Sequence, residues 1–341
     1  MPRTEMSPPE PERIHRAARL DDAFLAWRAK RAIKRGLEPT AVTYTGYGST
    51  TWVRVLGRVL YTHRGREKEA TSRTRGWRSF TSIPVVSSAV TIDIAGTRHE
   101  VVADRGGVID AVISAEMEPG WQTIQMSAQG SDPVTSDVYI VDPDTRVGVI
   151  SDIDDTVMVT ALPRPFVAAW NTFVLDEHAR TPVPGMAVLL DRLSRMNGGC
   201  PVIYLSTGAW NIAPAITRFL SRHLYPAGAL LLTDWGPTHD RFFRSGREHK
   251  HESLRRLANE FPDIKWILVG DDGQHDEELY SAFASELPDN VSAVAIRQLS
   301  AGEAVLAGGR SKHEQRDAGH TWVYAPDGAG LLSELNDILS D

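Results

Sequence analysis

The spacing of apolar residues along this chain changes character twice. Between about Arg13 and Arg35, Ile14, Ala18, Leu25 and Ala32 recur at helical intervals, and Gly36 stops the predicted helix. From about Thr40 to Asp144 the pattern becomes short, alternating and β-branched. Thr51–Val59, Val90–Ile94 and Asp137–Val141 read as strands, with Gly106-Gly107 and Asp132-Pro133 between runs. Several short strands of this kind predict an antiparallel, β-sandwich-like domain. From about Arg146 onward, fully apolar runs (Val147–Ile150, Val202–Leu205, Ala229–Leu232, Trp266–Val269, Val291–Ile296, Thr321–Tyr324) alternate with helical segments (Gly185–Met196, Ile212–His223, Lys250–Phe261, Asp276–Glu286, Gly328–Leu339). That alternation predicts an α/β fold, a doubly wound and mostly parallel sheet. The expected division is a Pro/Glu-rich tail and basic helix over residues 1–39, a β-rich domain over 40–145 and an α/β domain over 146–341.

Composition narrows the class. With 341 residues, 42% hydrophobic and 24% charged, the chain has material for packed cores and is not wholly disordered. Its one cysteine, Cys200, excludes a disulfide framework and a thiolate zinc site, and fits a reducing compartment. No apolar run approaches the roughly 18 residues of a bilayer span. The Pro- and Glu-rich start has no apolar h-region, so neither a signal peptide nor a transmembrane segment is expected. The expectation is a cytoplasmic protein, at most peripheral to a membrane.

Charge is unevenly distributed. Residues 1–150 hold 20 Lys+Arg against 18 Asp+Glu (net +2), and residues 151–341 hold 17 against 26 (net −9). The first half contains two basic stretches, the helix 13–35 and a run made of Arg54, Arg58, Arg64, Arg66, Lys68, Arg73, Arg75 and Arg78. Such stretches attract anionic lipid at about 1 kcal/mol per residue near the surface, and a plain solvated face is the competing reading. A nucleic-acid partner is not expected.

In open parallel sheets the ligand site lies beyond the carboxyl ends of the strands. The strand at Val147–Ile150 runs into Ser151-Asp152-Ile153-Asp154-Asp155-Thr156. The one at Val202–Leu205 runs into Ser206-Thr207-Gly208, and Trp266–Val269 into Gly270-Asp271-Asp272-Gly273-Gln274-His275-Asp276. Lys250 stands near the start of the helix before that last strand. Clustered carboxylates raise one another's pKa unless a cation neutralises them. Oxygen ligands without Cys or His favour Mg²⁺, which joins its site to a phosphate. In the D-x-D pair one carboxylate can attack while the other handles the proton. Lys250 can offset phosphoryl charge, and Ser206 or Thr207 can bond phosphoryl oxygens.

These segments resemble the four motifs of haloacid dehalogenase (HAD) superfamily phosphatases, in order. More narrowly, Ser151–Thr156, Leu205–Gly208, Glu248-His249-Lys250 and Gly270–Asp276 resemble the catalytic domain of App1-type phosphatidate phosphatases. Thr43–Gly48 and Gly57-Arg58-Val59 are similar to the β-rich region that precedes it in bacterial relatives. The resemblance implies a HAD-like sheet and an aspartyl-phosphate mechanism in which Asp152 is nucleophile and Asp154 acid and base. Mg²⁺ would be held by Asp152, the Asp154 carbonyl and Asp271, with Asp276 or Asp272 in support. Ser206 and Lys250 would fix the phosphoryl group, and Thr156, Thr207, Gly208, Arg241 and Arg244 are the candidate substrate-binding residues. The implied reaction is hydrolysis of phosphatidate to diacylglycerol and phosphate. Two alternatives stay open: a soluble phosphatase for another phosphomonoester, and a membrane-associated binding module with a vestigial catalytic domain.

Several neighbours have plainer readings. Asp155 is expected to cap a turn or sit in solvent. His249 and His251, two apart on a helix, diverge and form no metal pair. Trp210 is expected in the core or the pocket wall. Arg241 and Arg244 either meet a second anionic group or belong to a solvated loop. Residues 157–184 form either a small apolar lid or ordinary packing.

Overall fold

The computed structural model describes residues 25–63, 83–159, 181–233, 246–273, 275–306, 309 and 319–339. The N-terminal tail, most of the basic helix, the basic residues Arg64 to Arg78, the centre of the suggested lid, Arg241 and Arg244 lie outside the described residues. Residues 25–34 are helical, and Gly36 at φ +72° ends that helix. Among the described residues no helix is long and apolar enough to cross a membrane.

The β-rich part comprises β1 (Leu37–Ser49), β2 (Trp52–His63), β3 (Ile83–Pro84), β4 (Ala89–Ile94), β5 (Thr97–Val102), β6 (Val108–Ser114), β7 (Gly120–Ala128) and β8 (Val134–Val141). All eight belong to one sheet of order β3-β2-β1-β8-β7-β4-β5, with β6 added on β2. Every pairing is antiparallel except β1 with β8, which is parallel. The β4–β5 hairpin turns on Ala95-Gly96, both at positive φ, the backbone that a two-residue type I′ turn requires.

The β-sandwich expectation therefore needs amending in topology. The long β2 pairs with β1 on one side and divides its other side between β6 and β3, so a single sheet curls around its own core. Val53, Val55, Ile92, Ile109, Ile124, Met126, Val138 and Ile140 fill that core. The alternation of inward Ile124 and Met126 with outward Gln125 in β7 is the period-2 signal that the sequence carries.

The second part is built on β9 (Val147–Asp152), β12 (Val202–Ala209), β13 (Ala229–Thr233), β14 (Lys265–Asp271), β15 (Val291–Arg297) and β16 (Thr321–Ala325), with a small β10 (Met158–Val159) and β11 (Thr181–Pro182) ribbon. The helices are α1 (Met186–Met196), α2 (Ala213–Arg222), α3 (Gly246–Glu260), α4 (Asp276–Glu286), α5 (Ala301–Leu306) and α6 (Gly328–Leu339). The six large strands are all parallel, in the order β13-β12-β9-β14-β15-β16. Strand order runs outward in both directions from β9, so the crevice of the sheet opens at the carboxyl ends of β9 and β14. The strands are buried on both faces, which is why they read as continuous apolar runs. Helix α3 begins four residues before the expected Lys250, and α5 has no counterpart in the apolar pattern.

The two parts share one core. Tyr44, Tyr47, Leu56 and Val108 are buried together with the strands and helices of the α/β part. Tyr44 stacks on Trp210 at 5.0 Å between ring centroids. The Tyr47 hydroxyl donates to Glu260 Oε2 at 2.7 Å, and Arg54 Nε donates to Glu260 Oε1 at 3.0 Å. Arg54 also pairs with Asp110, which in turn accepts from Arg256 Nη1 at 2.9 Å. This corrects the reading of Arg54 as part of a free basic surface, because its charge is committed to the end of α3. Arg58 likewise donates through Nε to the Gly106 carbonyl, at 2.9 Å. Cys200 is buried, and burial pushes its thiol up to about 12.

Removing Arg54 leaves the partly buried Glu260 and the more exposed Asp110 without the cation they share. Arg54→Met is expected to lower stability in urea denaturation by about 2 kcal/mol. Arg98→Ala, which breaks a 3.9 Å contact to Asp93 at an 82% exposed side chain, should change it by no more than about 0.5 kcal/mol.

Candidate active site

Strand β9 carries buried Ser151 and Asp152 to its carboxyl end. The chain then closes a tight turn. The Ile153 carbonyl accepts from the N–H of Val157 (3.0 Å) and of Met158 (3.1 Å), and Asp155 N–H donates to the Met158 carbonyl at 2.8 Å. Asp155 sits at φ +59°, which costs a non-glycine residue about 1 kcal/mol or more. It is buried within the turn rather than in solvent, the second of its two expected placements. The turn brings Thr156 back beside Asp152. Its hydroxyl donates to Asp271 Oδ2 at 3.3 Å and lies 3.5 Å from Asp152 Oδ2.

Strand β14 supplies Asp271, whose Oδ1 accepts from Gly273 N–H at 2.7 Å. The preceding Gly270 has no room for a side chain, since a Cβ there would lie 2.8 Å from Asp276 Oδ2 and 2.7 Å from the Tyr280 ring. That space is what lets α4 deliver Asp276 against the strand end, with Oδ2 3.4 Å from Asp271 N. The first turn of α4 is Asp276, Glu277 and Glu278, an acidic sequence that a helix N-terminus favours. Asp272 is directed elsewhere, accepting from Leu299 N–H at 2.8 Å. Of the two acids expected in support, Asp276 is the one that joins Asp152 and Asp271.

Helix α3 closes the cluster. Buried Lys250 places Nζ 2.7 Å from Asp152 Oδ1 and 2.7 Å from Asp276 Oδ1. Burial alone would lower the ammonium pKa, but Asp152 and Asp276 outweigh it and raise it well above the usual lysine range. Asp152 and Asp271 are both raised well above ordinary carboxylates, first by burial and then by Asp276. Two like charges about 4 Å apart repel by about 4 kcal/mol at an effective dielectric of about 20. One ammonium therefore cannot balance three carboxylates. The nearest oxygens of Asp152, Asp271 and Asp276 all lie within 4.8 Å of one another, and this hard, anionic donor set fits a divalent cation.

Strand β12 brings the hydroxyls. Ser206 Oγ donates to Asp154 Oδ2 at 3.0 Å and accepts from Gly208 N–H at 3.0 Å. Thr207 instead lies against Gly246 at the start of α3, and its carbonyl accepts from the Thr233 hydroxyl. Asp154 thus faces Ser206, while Asp152 faces Lys250 and Thr156. His249 is buried, whereas His251 reaches Glu286 at 3.5 Å, so the two diverge. His275 is exposed ahead of α4, and Trp210 is buried in the shared core.

Two supporting residues escaped the sequence analysis. Tyr225 donates to the Val157 carbonyl at 2.7 Å. Arg297 donates through Nη1 to the Asp155 carbonyl at 2.6 Å. The available signal for Arg297 was a charged residue closing an apolar parallel strand, the same signal that marked Asp152 and Asp271.

Residues 147–298 match the family model described as phosphatidate phosphatase APP1, catalytic domain. The phosphatidate phosphatase APP1 of Saccharomyces cerevisiae is 24% identical over 152 residues, covering 44% of this chain and 26% of that protein. An uncharacterised protein of Schizosaccharomyces pombe is 24% identical over 166 residues, covering 48% of this chain and 27% of its own length. The chain thus spans about a quarter of the length of these curated relatives. A carbohydrate acetylesterase from Xanthomonas citri aligns over 80% of this chain and 73% of its own, at 11% identity and a TM-score of 0.29, too distant to bear on the fold. The match coincides with the stretch from β9 to just past β15 that carries every carboxylate of the cluster, so residues 147–298 are similar to the catalytic domain of App1-type phosphatidate phosphatases.

Proposed function

We propose that this chain is a Mg²⁺-dependent phosphatase of HAD type that hydrolyses phosphatidate to diacylglycerol and phosphate through an aspartyl-phosphate. The observation that carries the reading is the convergence of Asp152, Asp271, Asp276 and Lys250 at the carboxyl ends of β9 and β14, inside the App1-type stretch. Mg²⁺ bound by Asp152, Asp271, Asp276 and the Asp154 carbonyl would supply the positive charge that the cluster lacks and that an incoming phosphate requires.

The roles follow from what each side chain faces. Asp152 attacks phosphorus with a carboxylate oxygen, and the bond from phosphorus to the glyceride oxygen breaks. Asp154 gives its proton to the departing alkoxide. It then takes a proton from the water that attacks the aspartyl-phosphate, freeing phosphate and restoring the Asp152 carboxylate. The Ser206 hydrogen bond aims the Asp154 carboxyl before substrate arrives. Lys250 neutralises part of the anionic charge beside Asp152, and its short contacts to Asp152 and Asp276 set those two carboxylates against each other at fixed distance. Thr156 holds Asp271 from below. Thr207, Gly208, Arg241 and Arg244 are assigned to the substrate side, the two arginines to an anionic head group. The basic stretches before β1 and after β2 are assigned to an anionic membrane surface on the cytoplasmic side.

Three measurements test this reading. Asp152→Asn should lower turnover by about 10³-fold or more with an unchanged circular dichroism spectrum, and near-wild-type Mg²⁺-dependent turnover in that variant removes Asp152 as nucleophile. Asp271→Asn should weaken Mg²⁺ binding in calorimetry by about ten-fold or more, about 1.4 kcal/mol; unchanged affinity would exclude Asp271 as a ligand. Phosphate release from micellar phosphatidate should exceed release from a panel of soluble sugar phosphates. The reverse order would favour a soluble phosphomonoesterase, and no release from any substrate beside firm liposome binding would favour a vestigial domain.

A further inference from the structure

We infer that Arg297 is a positioning residue for the reaction proposed above, fixing the turn that follows Asp152 and carries Asp154 and Thr156, with Glu303 holding its guanidinium in place. The inference rests on that functional reading for its catalytic readout, but its structural basis is independent of it.

Arg297 is the last residue of β15, and its Cα is the register partner of Asp271 on β14. It is therefore a buried cation one strand away from a cluster with excess negative charge. Coulomb attraction alone would draw it toward those carboxylates. Its guanidinium instead forks three ways. Nη1 donates to the Asp155 carbonyl at 2.6 Å, Nε to the Pro326 carbonyl at 3.3 Å, and Nη2 to Glu303 Oε1 at 2.7 Å. Its own carbonyl accepts from Asp272 N–H at 2.9 Å, tying the ends of β14 and β15 together.

The carbonyl that Nη1 selects belongs to the one residue of the turn at positive φ, Asp155. A charge-assisted bond to that carbonyl opposes relaxation of the strained backbone into an ordinary conformation. Such relaxation would swing the flanking Asp154 off Ser206 and Thr156 off Asp271. Tyr225 ties down Val157 at the next carbonyl but one, so the turn is held at both ends. Glu303 is fixed in turn, since its Oε2 accepts from Ser300 N–H at 2.8 Å and α5 begins there. Lysine cannot reproduce the three-way fork, because it offers one compact ammonium in place of a planar guanidinium.

The test uses the 341-residue chain with Mg²⁺ present, as wild type, Arg297→Lys and Glu303→Gln. It reads kcat and KM on micellar phosphatidate, and hydrogen–deuterium exchange of peptides covering residues 153–158, β12 and β14. Misplacing a catalytic group by about 1 Å can cost about 10²-fold. Arg297→Lys is expected to lower kcat by about ten-fold or more with KM within about two-fold. Exchange should rise at 153–158 and stay unchanged across β12 and β14. Glu303→Gln should move the same readouts in the same direction by less, and it decides the matter if Arg297→Lys does not fold. Unchanged exchange at 153–158, a kcat within about two-fold of wild type, or exchange rising equally through β12 and β14 would each overturn the inference. A wild-type protein that hydrolyses no phosphomonoester refutes the proposed function instead, and the exchange comparison then still decides whether Arg297 holds the turn.

Discussion

Three buried carboxylates meet one buried ammonium where β9 and β14 end, and the surrounding architecture can be read as what it takes to keep them there. Asp152, Asp271 and Asp276 repel one another, and burial raises the cost of ionising Asp152 and Asp271 further. A soft scaffold would let them separate into solvent. Here each is anchored by a different device: the end of a central strand for Asp152, a glycine-widened strand end for Asp271, and the first turn of a helix for Asp276. Lys250 reaches in from a fourth element. The residual negative charge is a standing demand for a cation, which makes metal affinity a property of the fold's geometry as much as of the ligands.

The curled sheet takes part in this through α3. The helix presents Lys250 at one end and Glu260 at the other. Glu260 is gripped by Tyr47 and Arg54, and Arg256 by Asp110. The direction of α3, and with it the reach of Lys250, therefore depends on side chains more than 100 residues earlier in the chain. Tyr44 stacked on Trp210 braces the segment just after Ser206 in a similar way.

Much of this was legible in the sequence. Parallel strands buried on both faces leave unbroken apolar runs, and the residues that end those runs mark the crevice, which is how Asp152, Ser206 and Asp271 could be singled out. What stayed hidden has physical reasons. The parallel pairing of β1 with β8 joins residues 92 apart in the chain, as Gly46 with Val138, and a period-2 pattern does not record a strand's partner. Arg54 reads as one more charge in a basic run until its partners Glu260 and Asp110 are brought beside it. Asp272 and Asp276 are alike in sequence, and only the point where α4 begins separates them. Asp155 looks like a solvent residue because a left-handed backbone at an aspartate leaves no compositional trace. Arg297 was passed over because its target is a backbone carbonyl, which every residue has.

The shared core has one more consequence, for modularity. The expected boundary near residue 145 separates two topologies, a curled and mostly antiparallel sheet and a parallel one, yet Tyr44, Tyr47, Leu56 and Val108 lie inside the same hydrophobic cluster as Val149, Trp210 and Leu257. Cutting there would bare an aromatic face on one fragment and strand Glu260 and Arg256 without partners on the other. The two parts are distinct in topology and continuous in their core, so the packing that holds α3 does not stop at the boundary.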